Sequence, residues 1–107
     1  MRRRVIRSPA ARADVIETTN YIADRDNAAA ARYARAVRAT EALILESPGL
    51  GAPRDFGGVR LKGLRMHPVQ GFRRWLVFDL ERPGGIEILR VLHGARDLEA
   101  LLGEDDE

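Results

Sequence analysis

Cysteine is absent from the 107 residues. That excludes a disulfide framework, a thiol nucleophile and a thiolate zinc site in one step. It also argues against a small secreted scaffold, which would need such staples. Aromatic residues are scarce, with one Trp, two Tyr and three Phe. Only two histidines are present, and no companion carboxylates stand at ligand spacing, so no metal motif is formed and no cofactor is expected. No apolar run approaches the roughly 20 residues needed to cross a bilayer. The basic start Met1-Arg2-Arg3-Arg4 is not followed by an apolar segment of signal-peptide length. The expectation is a cytoplasmic protein with no membrane partner.

What is present is an ordinary globular balance, 45% hydrophobic and 32% charged, in a length that suits one hydrophobic core. The expected organisation is a single domain over residues 1–103 and an acidic mobile tail over 104–107. The net charge of +2 hides an asymmetry, because four of the 16 acids are the last four residues, Glu104 to Glu107. Without them 18 basic residues face 12 acidic ones, +6 over residues 1–103. Lysine occurs once, at Lys62, so 17 of those 18 are arginines. Guanidinium groups suit phosphate and carboxylate partners. A genome rich in arginine codons gives the same bias with no function behind it.

The chain changes period midway. Arg3 to Arg7 is short and partly β-branched, a first strand. Ser8-Pro9 then reads as a helix start, a Ser N-cap with Pro where its missing N–H costs nothing. Val15, Thr19 and Ile22, flanked by Ala11, Ile16 and Ala23, form a one-sided stripe to about Asp24. Asn27 reads as a second N-cap for an alanine-rich helix to about Glu46, whose stripe is Tyr33, Val37, Thr40 and Ile44. A three-residue connection makes the two helices an antiparallel hairpin.

Ser47-Pro48-Gly49 ends that helix, and Gly49 to Gly58 reads as a surface loop. The glycines there lack the strand, the Lys-Ser/Thr pair and the following helix of a phosphate loop. Val59 to Lys62 and Leu64 to His67 alternate like strand, and Pro68 to Gly71 reads as a turn. Phe72 to Leu80 is the most apolar strand, with Phe72, Arg74, Leu76, Phe78 and Leu80 on one face and Trp75 and Val77 opposite. Two apolar faces make it central. Arg82 to Gly85 is a hairpin turn, Ile86 to His93 a last strand, and Gly94 to Leu102 a short helix that Gly103 ends. The fold class is α+β: an N-terminal strand, a helical hairpin, a three-stranded antiparallel meander packed against it, and a short C-terminal helix.

This order, carried by particular residues, resembles the RelE/ParE superfamily of type II toxin–antitoxin toxins, and the ParE branch most closely. The matching segments are Ser8 to Val15, Tyr21-Ile22-Ala23, the start of the alanine run, Ser47 to Gly51, Gly63-Leu64-Arg65 and Phe72 to Phe78. Ile88 to Leu98, reading ILRVLHGARDL, is the most specific. The resemblance covers about residues 3–102 and implies a toxin of one of two kinds. ParE-like members inhibit DNA gyrase without catalysis; RelE-like members cut mRNA on the ribosome. Both are neutralised by a cognate antitoxin, here expected to be ParD-like, whose flexible part wraps the toxin. Operator DNA would then be met only through the antitoxin. A third reading is an inactive relic that only binds antitoxin.

RNA cleavage without metal needs an acid, a base and cations around the developing phosphorane. If the chain were a nuclease, His93, Arg96 and Arg65 would be its catalytic residues. Leu102, however, stands where the RelE pattern has a tyrosine, and an aliphatic side chain gives no proton. The expectation is therefore no catalytic residue, with His93 structural at a strand exit and His67 in a surface turn. Arg73, Arg74, Arg90 and Arg96 are the candidates for target binding. Arg73 and Arg74 point to opposite faces, so one of them is solvated. Arg90 shares a face with Ile86, Ile88 and Leu92, and reads better as the partner of a carboxylate such as Asp97 or Asp79. Tyr21, Ile22, Tyr33 and Trp75 are the candidates for antitoxin binding, Trp75 doubling as a packing residue.

Overall fold

A computed structural model describes residues 2–102; the expected acidic tail and the helix-ending Gly103 lie outside the described residues. The order is β1 (Arg4–Arg7), α1 (Pro9–Ala23), α2 (Asn27–Glu46), β2 (Ala52–Pro53), β3 (Arg65–Val69), β4 (Phe72–Arg82), β5 (Gly85–His93) and α3 (Leu98–Leu102). All five strands form one sheet in the order β1-β5-β4-β3-β2. The β3-β4-β5 meander is antiparallel, whereas β1 adds in parallel to β5. The α+β architecture is as the sequence implies, and β4 is central. The helical hairpin covers one face of the sheet; α3 and the 56–64 loop help cover the other.

Ser8 caps α1 as expected, its hydroxyl accepting from the Ala11 N–H at 3.0 Å. The same hydroxyl donates to the Leu89 carbonyl at 2.8 Å, so one side chain both starts the helix and fixes it to β5. The second cap is Asp26, not Asn27: its carboxylate accepts from the Ala29 N–H at 3.1 Å, and Asn27 is the first helical residue. The α2 stripe is buried as read, with Tyr33, Val37, Thr40 and Ile44 in the interior. On α1, Ala11 and Val15 are buried, but Ile16 is exposed, one position off the covered stripe.

Two ion pairs join the helices to the sheet. Arg7 of β1 donates to Glu41 of α2 at 2.6 and 3.2 Å. Arg90 of β5 donates to both Asp14 oxygens at 2.8 and 2.9 Å, and one of them also accepts from the Val91 N–H at 2.9 Å. The carboxylate partner of Arg90 is thus Asp14, neither Asp97 nor Asp79.

The strand and C-terminal helix expectations need five corrections. Val59 to Lys62 forms turns, and the strand in this region is Ala52–Pro53, inside the expected loop. Pro68 lies in β3 with His67, which is half-buried rather than in a surface turn. A register shift at Pro68/Val69 puts Phe72 in the helix-side cluster, against Tyr33, while Leu76, Phe78 and Leu80 join the opposite one. A second shift, at Phe78/Asp79 against β5, puts Ile86, Ile88 and Val91 on the helix side but Leu92 on the other. Strict alternation cannot run through a bulge. Finally, the C-terminal helix starts at Leu98 after a turn, with Asp97 accepting from the Ala100 N–H at 3.1 Å.

Candidate functional site

At the exit of β5 the sheet and α1 enclose a groove of about 550 Å³. Its wall on α1 is Glu17, Thr18 and Tyr21; β4 supplies Arg74 and Trp75, and His93 and Arg96 close the far end. Tyr21 is 56% exposed, and Arg25 lies 4.5 Å above its ring centre, a cation–π contact at the rim.

Trp75 is the floor. Its ring meets His93 edge-on at 4.9 Å and Tyr33 at 5.8 Å, and Tyr33 in turn meets Phe72 at 5.4 Å. These edge-to-face contacts hold a half-buried indole in one orientation with part of it open to solvent. His93 is fixed as well, because its Nδ1 accepts from the Ala95 N–H at 3.0 Å. That bond assigns the ring proton to Nε2 in this geometry. The Gly94 N–H donates to the Arg74 carbonyl at 2.7 Å, tying the β5 exit to the start of β4.

Tyr33, an expected antitoxin contact, is 0% exposed. It presents nothing to a partner directly and acts as the support beneath Trp75. Burial pushes its phenol up to about 12, against a smaller lowering influence of the nearby Thr18 hydroxyl, which does not reach hydrogen-bond geometry with it. Ile22 is half-buried against the helix-side core. The structure therefore brings Tyr21 and Trp75 of the expected antitoxin set together with Arg74 and Arg96 of the expected target set. Arg73 is exposed away from this groove. Arg90 is held by Asp14, which raises its already high pKa.

The three residues of the nuclease reading are not assembled. His93 and Arg96 share the groove, but Arg65 of β3 pairs with Asp79 of β4, whereas His93 of β5 pairs with Trp75 of β4. Four residues of β4 separate those two levels, about 13 Å of strand. Arg65 is engaged elsewhere, donating to the Gly51 carbonyl at 2.7 Å. Leu102 is 3% exposed, packed with Leu61, Leu64, Phe78, Leu80 and Leu92. Among the described residues no group of three His, Cys, Asp or Glu side chains converges to hold a metal ion, and no helix is long and apolar enough to cross a membrane.

Sequence reasoning missed Asp14, Glu17 and Thr18. Their signal was available: Asp14, Glu17, Thr18 and Tyr21 recur at three- and four-residue spacing, a polar stripe beside the apolar one on α1.

The sequence profile of the family described as ParE toxin of type II toxin-antitoxin system, parDE, matches residues 5–98. No curated protein matches the chain.

Proposed function

Given that the chain belongs to the ParE toxin family of type II toxin–antitoxin systems, we propose that it arrests growth by gripping DNA gyrase, with no bond made or broken, and that a ParD-like antitoxin disarms it. In this reading the antitoxin places an apolar side chain on Trp75 and carboxylates against Arg74 and Arg96. Both meetings occur in the cytoplasm, and operator DNA is reached through the antitoxin.

The observation that carries the reading is the dispersal of the nuclease set. A general acid, a base and a phosphorane-stabilising cation must lie within hydrogen-bond reach of one reacting phosphate. Arg65 lies on the far side of β4 from His93 and about four residues along it, and Leu102 offers an alkyl group to the core. By contrast, a floor of fixed aromatics rimmed by arginines is suited to binding a protein segment.

Supercoiling by purified gyrase, with the toxin in excess, tests this. Inhibition or trapped DNA cleavage is expected; undisturbed supercoiling overturns the gyrase assignment. Primer extension on mRNA from induced cells separates the rivals. Codon-positioned cuts that vanish in His93→Ala would make the chain a nuclease, and absence of any growth defect would make it a relic.

A further inference from the structure

A second groove, of about 540 Å³, opens on the opposite end of the hairpin, where β1 forms the edge of the sheet. We propose that it binds the phosphate backbone of a nucleic acid directly, a sequence-indifferent contact separate from the operator recognition that the antitoxin supplies. Arg4 and Arg7 of β1, Arg12 of α1 and Arg38 of α2 line it, and Glu41 is its one acid. Glu41 is already consumed by the two-bond pair with Arg7. The floor is therefore neutral, and it fixes β1 to α2 so that the walls keep their spacing.

Arg4, Arg12 and Arg38 are exposed, and among the described residues none of them has an ion-pair partner. Outside the groove Arg3, Arg82 and Arg90 each meet a carboxylate, whereas here the only carboxylate is taken by Arg7. Three guanidinium groups line one groove from three elements, and its single carboxylate is already engaged by Arg7. Such a field raises the local concentration of a polyanion. The guanidinium fork matches two phosphate oxygens at once.

The direction of the charge selects the ligand. An acidic peptide added as a strand would run along β1 and take its main-chain groups. The cations are not confined to β1: they stand on the strand and on both helices, at Arg4, Arg12 and Arg38. A phosphate chain, with a charge about every 3.4 Å per strand, can meet cations held on three elements at once. The exposed hydrophobic residue at the edge is Ile6, which offers no face for stacking a base. Contact is then with the backbone and indifferent to sequence. None of these residues lines the Trp75 groove, so this inference stands or falls apart from the gyrase reading.

Fluorescence anisotropy of the full chain with short labelled duplexes of arbitrary sequence, one DNA and one RNA, tests it. Binding of either duplex is expected, with an affinity that falls as salt rises. Arg12→Gln/Arg38→Gln should weaken it about 10-fold or more and reduce the slope of log affinity against log salt by roughly two. A charge-matched control, Arg32→Gln/Arg73→Gln, should lose far less. Equal losses in the two double variants would mean diffuse attraction to a basic protein and would overturn the site. So would displacement of the duplex by a poly-glutamate peptide at equal charge. Melting temperatures of both variants, expected to match the parent, exclude unfolding as the cause.

Discussion

At the scale of single residues, the buried ionisable group outside the ion pairs is the informative one. Asp79 is 1% exposed in the middle of the central strand, and one of its oxygens has no hydrogen-bond partner. Burial raises its carboxyl from 3.8 to about 6, with Arg65 pulling the other way and Glu81 adding to the rise. The fold therefore prefers the protonated acid. That preference is a stabilising contribution fully present below pH 3.8 and lost as pH rises through about 6. Asp79→Asn keeps the shape and removes the charge. It should stabilise the protein by about 2 to 3 kcal/mol at pH 8, the equivalent of a two-unit shift. It should also flatten the change in melting temperature between pH 4 and about 7; calorimetry of both proteins across that range decides. Tyr33 is the apolar counterpart. Its hydroxyl is buried without a partner, so Tyr33→Phe should change urea-unfolding stability by no more than about 1 kcal/mol. Tyr33→Ala should cost about 3 to 5 kcal/mol by emptying the space under Trp75. Neither behaviour was legible in the sequence: the spacing placed Tyr33 inside, but no spacing reveals whether a hydroxyl finds a partner there.

At the scale of elements, legibility followed local chemistry. Both helices, their hairpin and the burial of the Tyr33-Val37-Thr40-Ile44 stripe were readable because helix period and propensity act over a few residues. Asn27 was mistaken for the cap because Asp26 and Asn27 are both good capping types, and only the Ala29 N–H geometry separates them. The bulges were not readable, since the extra residue in a ladder is set by what each partner strand must bury. They moved Phe72 and Leu92 to the faces opposite those that alternation assigns. Two substitutions test how β1 and α1 are held. Gly85 has φ +145°, and a Cβ there would collide with the Arg4 backbone. Gly85→Ala should detach β1 and cost about 2 to 4 kcal/mol in urea unfolding. Asp14→Ala should cost about 3 kcal/mol, because it strands the Arg90 charge and leaves the Val91 N–H unpaired. Arg90→Met made together with it should recover part of that loss, since the leftover charge goes too.

For the whole molecule, the sheet keeps two kinds of surface apart. The aromatic groove lies at the β5 exit, and Arg4, Arg12 and Arg38 line the groove at the β1 edge. The sequence supplied the ingredients of the first, Tyr21, Trp75, Arg74 and Arg96, but not their convergence, which depends on α1 lying over β5. Binding of the antitoxin should divide along the same chemistry. Arg74 and Arg96 are exposed at the rim, so their charge works at a distance, before contact. Arg74→Glu/Arg96→Glu should therefore slow association with the cognate antitoxin about 10-fold or more and weaken its salt dependence, with a smaller change in dissociation. In the proposed complex Trp75 would act only after contact, as the anchor that binding buries. Trp75→Ala should leave association within about threefold and speed dissociation by roughly 30-fold or more, the range of a hot-spot aromatic. Surface-based kinetics at two salt concentrations, with the antitoxin immobilised, read both rates directly. If Trp75→Ala changes neither rate, the antitoxin sits elsewhere on the toxin, and the groove at the β5 exit is left for the target.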